Sequence, residues 1–177
     1  YDSVKRFAFN ELADGVVDRA NSDGYLWDIA ARLAEMGLLG ITISESKGGI
    51  GGSLTDAVLA IQAIAEVCPR SADVVQAGNF GAIRTFAEYA NADQLARFLP
   101  DLLAGRGVMS VGMSEPDAGS SVTELKTSAT PDGDDFLVNG SKVFGTNSGD
   151  AEVFLIYLRF GPGTEGIGSA LIEKGTD

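Results

Sequence analysis

The sequence predicts an α+β protein, an N-terminal all-α bundle over residues 1–107 followed by an antiparallel β-barrel-like domain over 108–177. Three observations carry this prediction. Apolar residues recur at helical spacing up to about Gly107. Beyond it the period changes to short apolar runs of strand length, and Asn139-Gly140 is the strongest short-range hairpin signal in the chain. Helices first and strands afterwards segregate into two units, with the boundary near Arg106-Gly107.

The helices follow in order. Val4, Phe7, Ala8, Leu12 and Val16 form one stripe, interrupted by Glu11, and predict a single long first helix. A second runs through Ile29, Leu33 and Met36, with Gly37 placed just past its C-cap. Ser53 and Asp56 open a third, whose Val58, Leu59, Ile61, Ile64 and Ala65 are so dense that burial on most sides is expected. A fourth is expected over residues 74–86. The fifth is capped by Asn91 and Gln94, presents Leu95, Phe98 and Leu99, and should break or kink at Pro100. The expected strands are 108–113, a hairpin over 136–144 turning at Asn139-Gly140, then 153–160 and 169–172.

Composition bounds the function. At 177 residues, 45% hydrophobic and 21% charged, the chain is long enough for one or two cores and is not a disordered one. No apolar run reaches the length of a membrane span and the start lacks a signal-peptide core, so a cytoplasmic protein is the expectation. A net charge of −12, from 13 basic and 25 acidic residues, disfavours a nucleic-acid surface. There is one cysteine and no histidine, which excludes an intrachain disulfide, histidine-based triads and HExxH zinc sites. Cys68, next to Pro69, is expected to be a packed core residue.

Two segments carry chemistry. The first, residues 111–121, contains Ser114-Glu115-Pro116-Asp117-Ala118-Gly119-Ser120-Ser121, a turn in which Pro fixes φ and Gly relaxes it, while Ser121 and Glu124 have capping-box spacing. The second is Lys142-Val143-Phe144-Gly145-Thr146-Asn147. A planar ring system needs an aromatic wall and rim donors, which Phe144 and Thr146 offer. The plainer alternative is a strand end with a capped turn and Phe144 as an ordinary core aromatic. Residues 161–166 fit G-x-G-x-x-G but open no helix, so a strand-connecting loop is expected there, and residues 48–52 should be a turn.

In that order, the two segments resemble the flavin-binding signature of the acyl-CoA dehydrogenases, usually Thr-Glu-Pro-x-Ala-Gly-Ser-Asp and later Lys-x-Trp-Ile-Thr-Asn. The helical half resembles the same family: Leu33-Ala34-Glu35-Met36-Gly37-Leu38-Leu39-Gly40-Ile41, with Glu45 and the glycines of residues 48–52, is similar to Leu-x-Glu-x-Gly-Leu-x-Gly-Ile…Pro-Glu-Glu-Tyr-Gly-Gly-x-Gly. Ser44 stands for the Pro, Ser46-Lys47 for Glu-Tyr, Ser121 for the usual Asp, Phe144 for Trp and Gly145 for a β-branched residue.

The resemblance implies FAD as cofactor. Val111, Met113 and Ser114 would run along the flavin, Gly119 and Ser120 would lie at cofactor and thioester, and Phe144, Gly145 and Thr146 would pack on and bond to the ring. Gln76 and Phe80, with Val75 and Gly78, would flank the acyl pocket, and Ser120 would meet the substrate. Lys126 and Arg159 are candidate cations for CoA by proximity in sequence. The implied reaction removes the α-proton of an acyl-CoA thioester with a carboxylate base while the β-hydride passes to the flavin. That base belongs to a C-terminal helical domain absent from these residues, so the β-domain is expected to be truncated and no catalytic residue is assigned. An electron-transfer flavoprotein or similar acceptor and a homo-oligomer, a tetramer in this family, are further implications. Two alternatives stand beside this one: a flavin oxidase or monooxygenase of the same superfamily, and a non-catalytic module kept for acyl binding or assembly, which Ser121 and Gly145 favour slightly.

Overall fold

The computed structural model describes residues 1–176, and the chain divides into two compact units, Tyr1–Val108 and Met109–Asp177. The first is helical. Helix α1 (Asp2–Phe7) runs into a π-helical turn, Ala8–Leu12, and a separate α2 (Val16–Ala20) follows Gly15. The expected single N-terminal helix is therefore split. Its cause is Gly15, which adopts left-handed φ 73°. Arg19 repairs the break: its guanidinium donates to the carbonyls of Leu12 and Asp14 and to Cys68 Sγ at 3.4 Å. Cys68 is fully buried there, as its position next to Pro69 after an apolar helix predicts.

Helix α3 (Trp27–Glu35) ends in a Schellman motif, with Gly37 N donating to Ala34 O at 2.8 Å and Leu38 N to Leu33 O at 2.9 Å. The glycine turn of residues 48–52 leads to α4 (Leu54–Ala65), closed by a reciprocal Ser53–Asp56 capping box. Contrary to expectation, α4 is not buried on most sides. Its buried residues are Ala57, Ala60, Ala63 and Ile64, whereas Leu54, Val58 and Leu59 are exposed. Helix α4 packs against α5 (Pro69–Ala77), and three of its four buried side chains are alanines, small enough to let backbones approach.

The expected helix over 74–86 is two helices, α5 and α6 (Ala82–Tyr89). Asn79 sits in the joint, fully buried, donating to Leu38 O and Val75 O at 2.8 Å each and accepting from Thr42 N at 3.2 Å. These bonds outweigh helix continuation because they satisfy three backbone groups at once. Helix α7 (Ala92–Leu103) has the expected Asn91–Gln94 box and continues past Pro100 without ending there.

The second unit contains strands β1 (Met109–Gly112), β2 (Ser128–Asp132), β3 (Asp135–Asn139), β4 (Val153–Arg159) and β5 (Ile167–Glu173). They form one mixed, open sheet rather than an antiparallel barrel. β1 pairs in parallel with β4 from Met109↔Val153 to Gly112↔Ile156, β2 meets β4 in parallel at Ser128↔Arg159, and the β2–β3 and β4–β5 pairs are antiparallel. The correction has a simple origin: the connection over residues 113–152 is long enough for a crossover that returns the chain in the same direction.

The hairpin is also displaced. Its turn is Gly133-Asp134, between Asp132 and Asp135, with Gly133 at φ 65°. Gly140 instead presses on Thr127, where an added Cβ would lie 2.3 Å from Thr127 Oγ1. The Asn-Gly pair thus serves close backbone approach, and residues 140–144 form no strand. Residues 161–166 join β4 to β5 as a loop, as expected.

Candidate functional site

The signature turn is pinned by reciprocal backbone bonds, Glu115 N to Ala118 O at 3.0 Å and Ala118 N to Glu115 O at 3.1 Å. Glu115 lies at its centre, 6% exposed. Its Oε2 accepts from Lys126 N at 2.6 Å, and its Oε1 accepts from Thr127 N at 2.9 Å and from Lys142 Nζ at 2.7 Å. Lys142 Nζ also donates to Met113 O at 3.1 Å. One carboxylate and one ammonium therefore tie together residues 113–118, 126–127 and 142.

Burial pushes the Glu115 carboxyl up, but Lys142, Thr127 and the Lys126 amide outweigh it and bring it down to about 2. A carboxylate held this acidic, accepting three hydrogen bonds, is suited to a structural anion rather than to a proton acceptor at neutral pH.

The two chemistry-bearing segments lie side by side. Val143 N donates to Ser114 O at 2.9 Å, and Ser110 Oγ donates to Thr146 O at 2.8 Å. Val111, Met113 and Ser114 are half-buried along one segment; Gly145 is half-buried and Thr146 exposed along the other. Phe144 is 93% exposed and takes φ 59°, and Asn147 takes φ 61°. Left-handed backbone at a bulky residue is costly, on the order of 1–3 kcal/mol, and persists only where its surroundings enforce it. The ordinary-core alternative for Phe144 fails on this exposure. Gly145 has a packing role: a Cβ there would lie 3.3 Å from Ser148 Cβ and 3.5 Å from Ser110 Oγ. At Gly119, by contrast, a Cβ would meet nothing within 4 Å, and Ser120 is exposed.

The expected capping box at Ser121 does not form. Val122–Glu124 is a single 3-10 turn with no side-chain cap, too short to present a helix N-terminus. Lys126 pairs with Asp117 at 3.2 Å on the surface. Arg159 is occupied by three carbonyls, Leu125 O at 2.6 Å, Gly163 O at 2.5 Å and Thr123 O, so it holds a loop together rather than facing a ligand.

Gln76 and Phe80 belong to the first unit. Gln76 is exposed at the end of α5 and Phe80 half-buried, whereas Val75 is fully buried inside the bundle and Gly78 packs on Leu39. Sequence reasoning missed Lys142 as the partner of Glu115, and Asn79 as the α5–α6 joint. An acid next to a Pro in a turn of mostly small residues is a signal that a cation must come from elsewhere.

Residues 1–106 match the acyl-CoA dehydrogenase N-terminal domain and residues 110–177 the acyl-CoA dehydrogenase middle domain. The chain belongs to the acyl-CoA dehydrogenase family. Among its relatives, a short-chain-specific acyl-CoA dehydrogenase of Clostridium acetobutylicum is 29% identical over 174 residues, 97% of this chain and 46% of that protein. The mitochondrial isobutyryl-CoA dehydrogenase of Dictyostelium discoideum is 36% identical over 151 residues, 84% of this chain and 36% of that one. The solved FAD complex of PigA is similar in structure with a TM-score of 0.90 at 26% identity, covering 99% of this chain and 47% of the other. The chain thus spans less than half the length of these acyl-CoA dehydrogenase relatives.

Proposed function

We propose that this chain supplies the FAD- and thioester-facing front portion of an acyl-CoA dehydrogenase that converts an acyl-CoA to its trans-2-enoyl-CoA. The observation that carries the proposal is Phe144. An aromatic ring held outward on left-handed backbone, beside the half-buried Met113 and Ser114, offers a face on which a planar ligand can pack. The residues present fit FAD: Phe144 as the ring wall, Thr146 as a rim donor, Val111, Met113 and Ser114 as the apolar and hydroxyl flank, and Gly119 and Ser120 as unobstructed amides. FAD when bound accepts the substrate hydride.

What this chain's own residues do is positional. Glu115 and Lys142 hold the two segments in register, and Ser110 fixes the Thr146 carbonyl, so the exposed groups are preorganised. In the first unit, Gln76 and Phe80 flank the acyl group in this reading. Glu115, held as a carboxylate by Lys142 and two backbone amides, is a poor α-proton base, and in this reading the base is a carboxylate of the family's C-terminal helical domain. The 177-residue chain by itself accordingly binds FAD weakly and gives no turnover. An electron-transfer flavoprotein or a similar acceptor would reoxidise the enzyme, and the full-length protein would form a homo-oligomer.

Purified full-length protein tests this directly. Phe144→Ala should lower flavin affinity by about 3–10-fold, the value of one aromatic contact, while leaving the melting temperature of the flavin-free protein unchanged because the ring is exposed. Equal flavin affinity in the variant would contradict the assignment.

A further inference from the structure

The first unit carries an open cleft of about 200 Å³ between the chain around residues 42–47 and helix α6, lined among others by Thr42, Ser44, Lys47, Arg84, Ala87 and Glu88. Its charges are unusual for this molecule. The chain has 25 acidic residues against 13 basic ones, and its cations are mostly matched to carboxylates, as in Lys5–Glu66, Arg32–Glu11, Arg106–Asp101, Lys142–Glu115 and Lys174–Glu152.

The two cations of the cleft have no carboxylate partner. Lys47 Nζ donates to the Ala87 carbonyl in the last turn of α6, which uses one of its three protons and leaves its charge unneutralised. Arg84 forms no hydrogen bond or ion pair among the described residues. Ser44 Oγ, 3.1 Å from Ser46 Oγ, adds a hydroxyl. Glu88, one turn beyond Arg84, is the one carboxylate on the lining.

We propose that this cleft binds a phosphate-class oxyanion, held by Arg84 and Lys47 with Ser44 as a hydroxyl donor. A dianion matches two cations on one lining, and a guanidinium fork and an ammonium suit its oxygens. Glu88 opposes the ligand and limits affinity. Nothing in this inference depends on flavin or thioester binding in the second unit, because every lining residue belongs to the first.

The test is calorimetric titration of the full-length protein with inorganic phosphate and, separately, with phenyl phosphate, at low and high chloride. Saturable one-site binding that weakens with chloride is expected. Arg84→Gln should weaken it at least about fivefold and Glu88→Gln tighten it at least about twofold. Both side chains are exposed, so both variants should melt as the parent does. Phenyl phosphate binding as tightly as phosphate assigns the site to a phosphate monoester of a larger molecule, and binding of inorganic phosphate alone assigns it to the free anion. Absence of saturable binding of either probe, or unchanged affinity in both variants, overturns the proposal.

Discussion

At the scale of single residues, the acid–base pair Glu115–Lys142 explains why the signature segments hold their shape. Lys142 is largely buried with its partner, and removing the cation leaves a buried carboxylate whose charge is met only by the Lys126 and Thr127 amides. Lys142→Met should therefore cost about 3 kcal/mol in denaturant unfolding at pH 7. The pH dependence follows from the same pair. The Glu115 carboxyl lies at about 2 when folded and ordinarily at 4.5, so its stabilisation is fully present above about pH 4.5 and is lost as pH falls through 2. Integrated, that amounts to about 3 kcal/mol. Glu115→Gln should flatten the fall in stability between those two pH values relative to the parent. Parallel stability curves for the two proteins across that range would show that Glu115 is not the group responsible.

The elements are set by close approaches that only glycine allows. An added Cβ at Gly49 would lie 2.2 Å from Ile43 O, against rigid backbone, whereas at Gly119 it would meet nothing. Gly49→Ala should lower stability by about 1–3 kcal/mol, and Gly119→Ala should leave it unchanged within about 0.5 kcal/mol. For a domain of this size that is a fall of roughly 2–10 °C in Tm for the first and none for the second, read by thermal unfolding. A loss at Gly119 would mean its surroundings are tighter than the structure shows.

The element scale is also where sequence reading succeeds and fails. Capping boxes at Ser53 and Asn91 and the Gly37 stop were legible because their chemistry is local. The hairpin was misassigned because Asn139-Gly140 and Asp132-Gly133 are both good turn signals, and only contact with Thr127 decides between them. The parallel β1–β4 pairing, the exposed side of α4 and the Asn79 joint depend on groups distant in sequence, which periodicity does not report. At the candidate site, the two segments singled out in the sequence lie side by side, but the Lys142 bond to Glu115 and the outward ring of Phe144 are tertiary facts.

For the whole molecule, two units that each match a domain of the acyl-CoA dehydrogenases are expected to act as parts of a larger flavoprotein. Among the described residues no helix is long and apolar enough to cross a membrane, and no cluster of three or more metal-ligating side chains occurs. The most direct measurement is the absorption spectrum, between about 350 and 500 nm, of freshly purified full-length protein. Flavin bands at close to one equivalent per chain, diminished in Phe144→Ala, are predicted. A folded protein that shows no flavin bands, even after incubation with excess FAD, would contradict the proposal that these residues face a flavin.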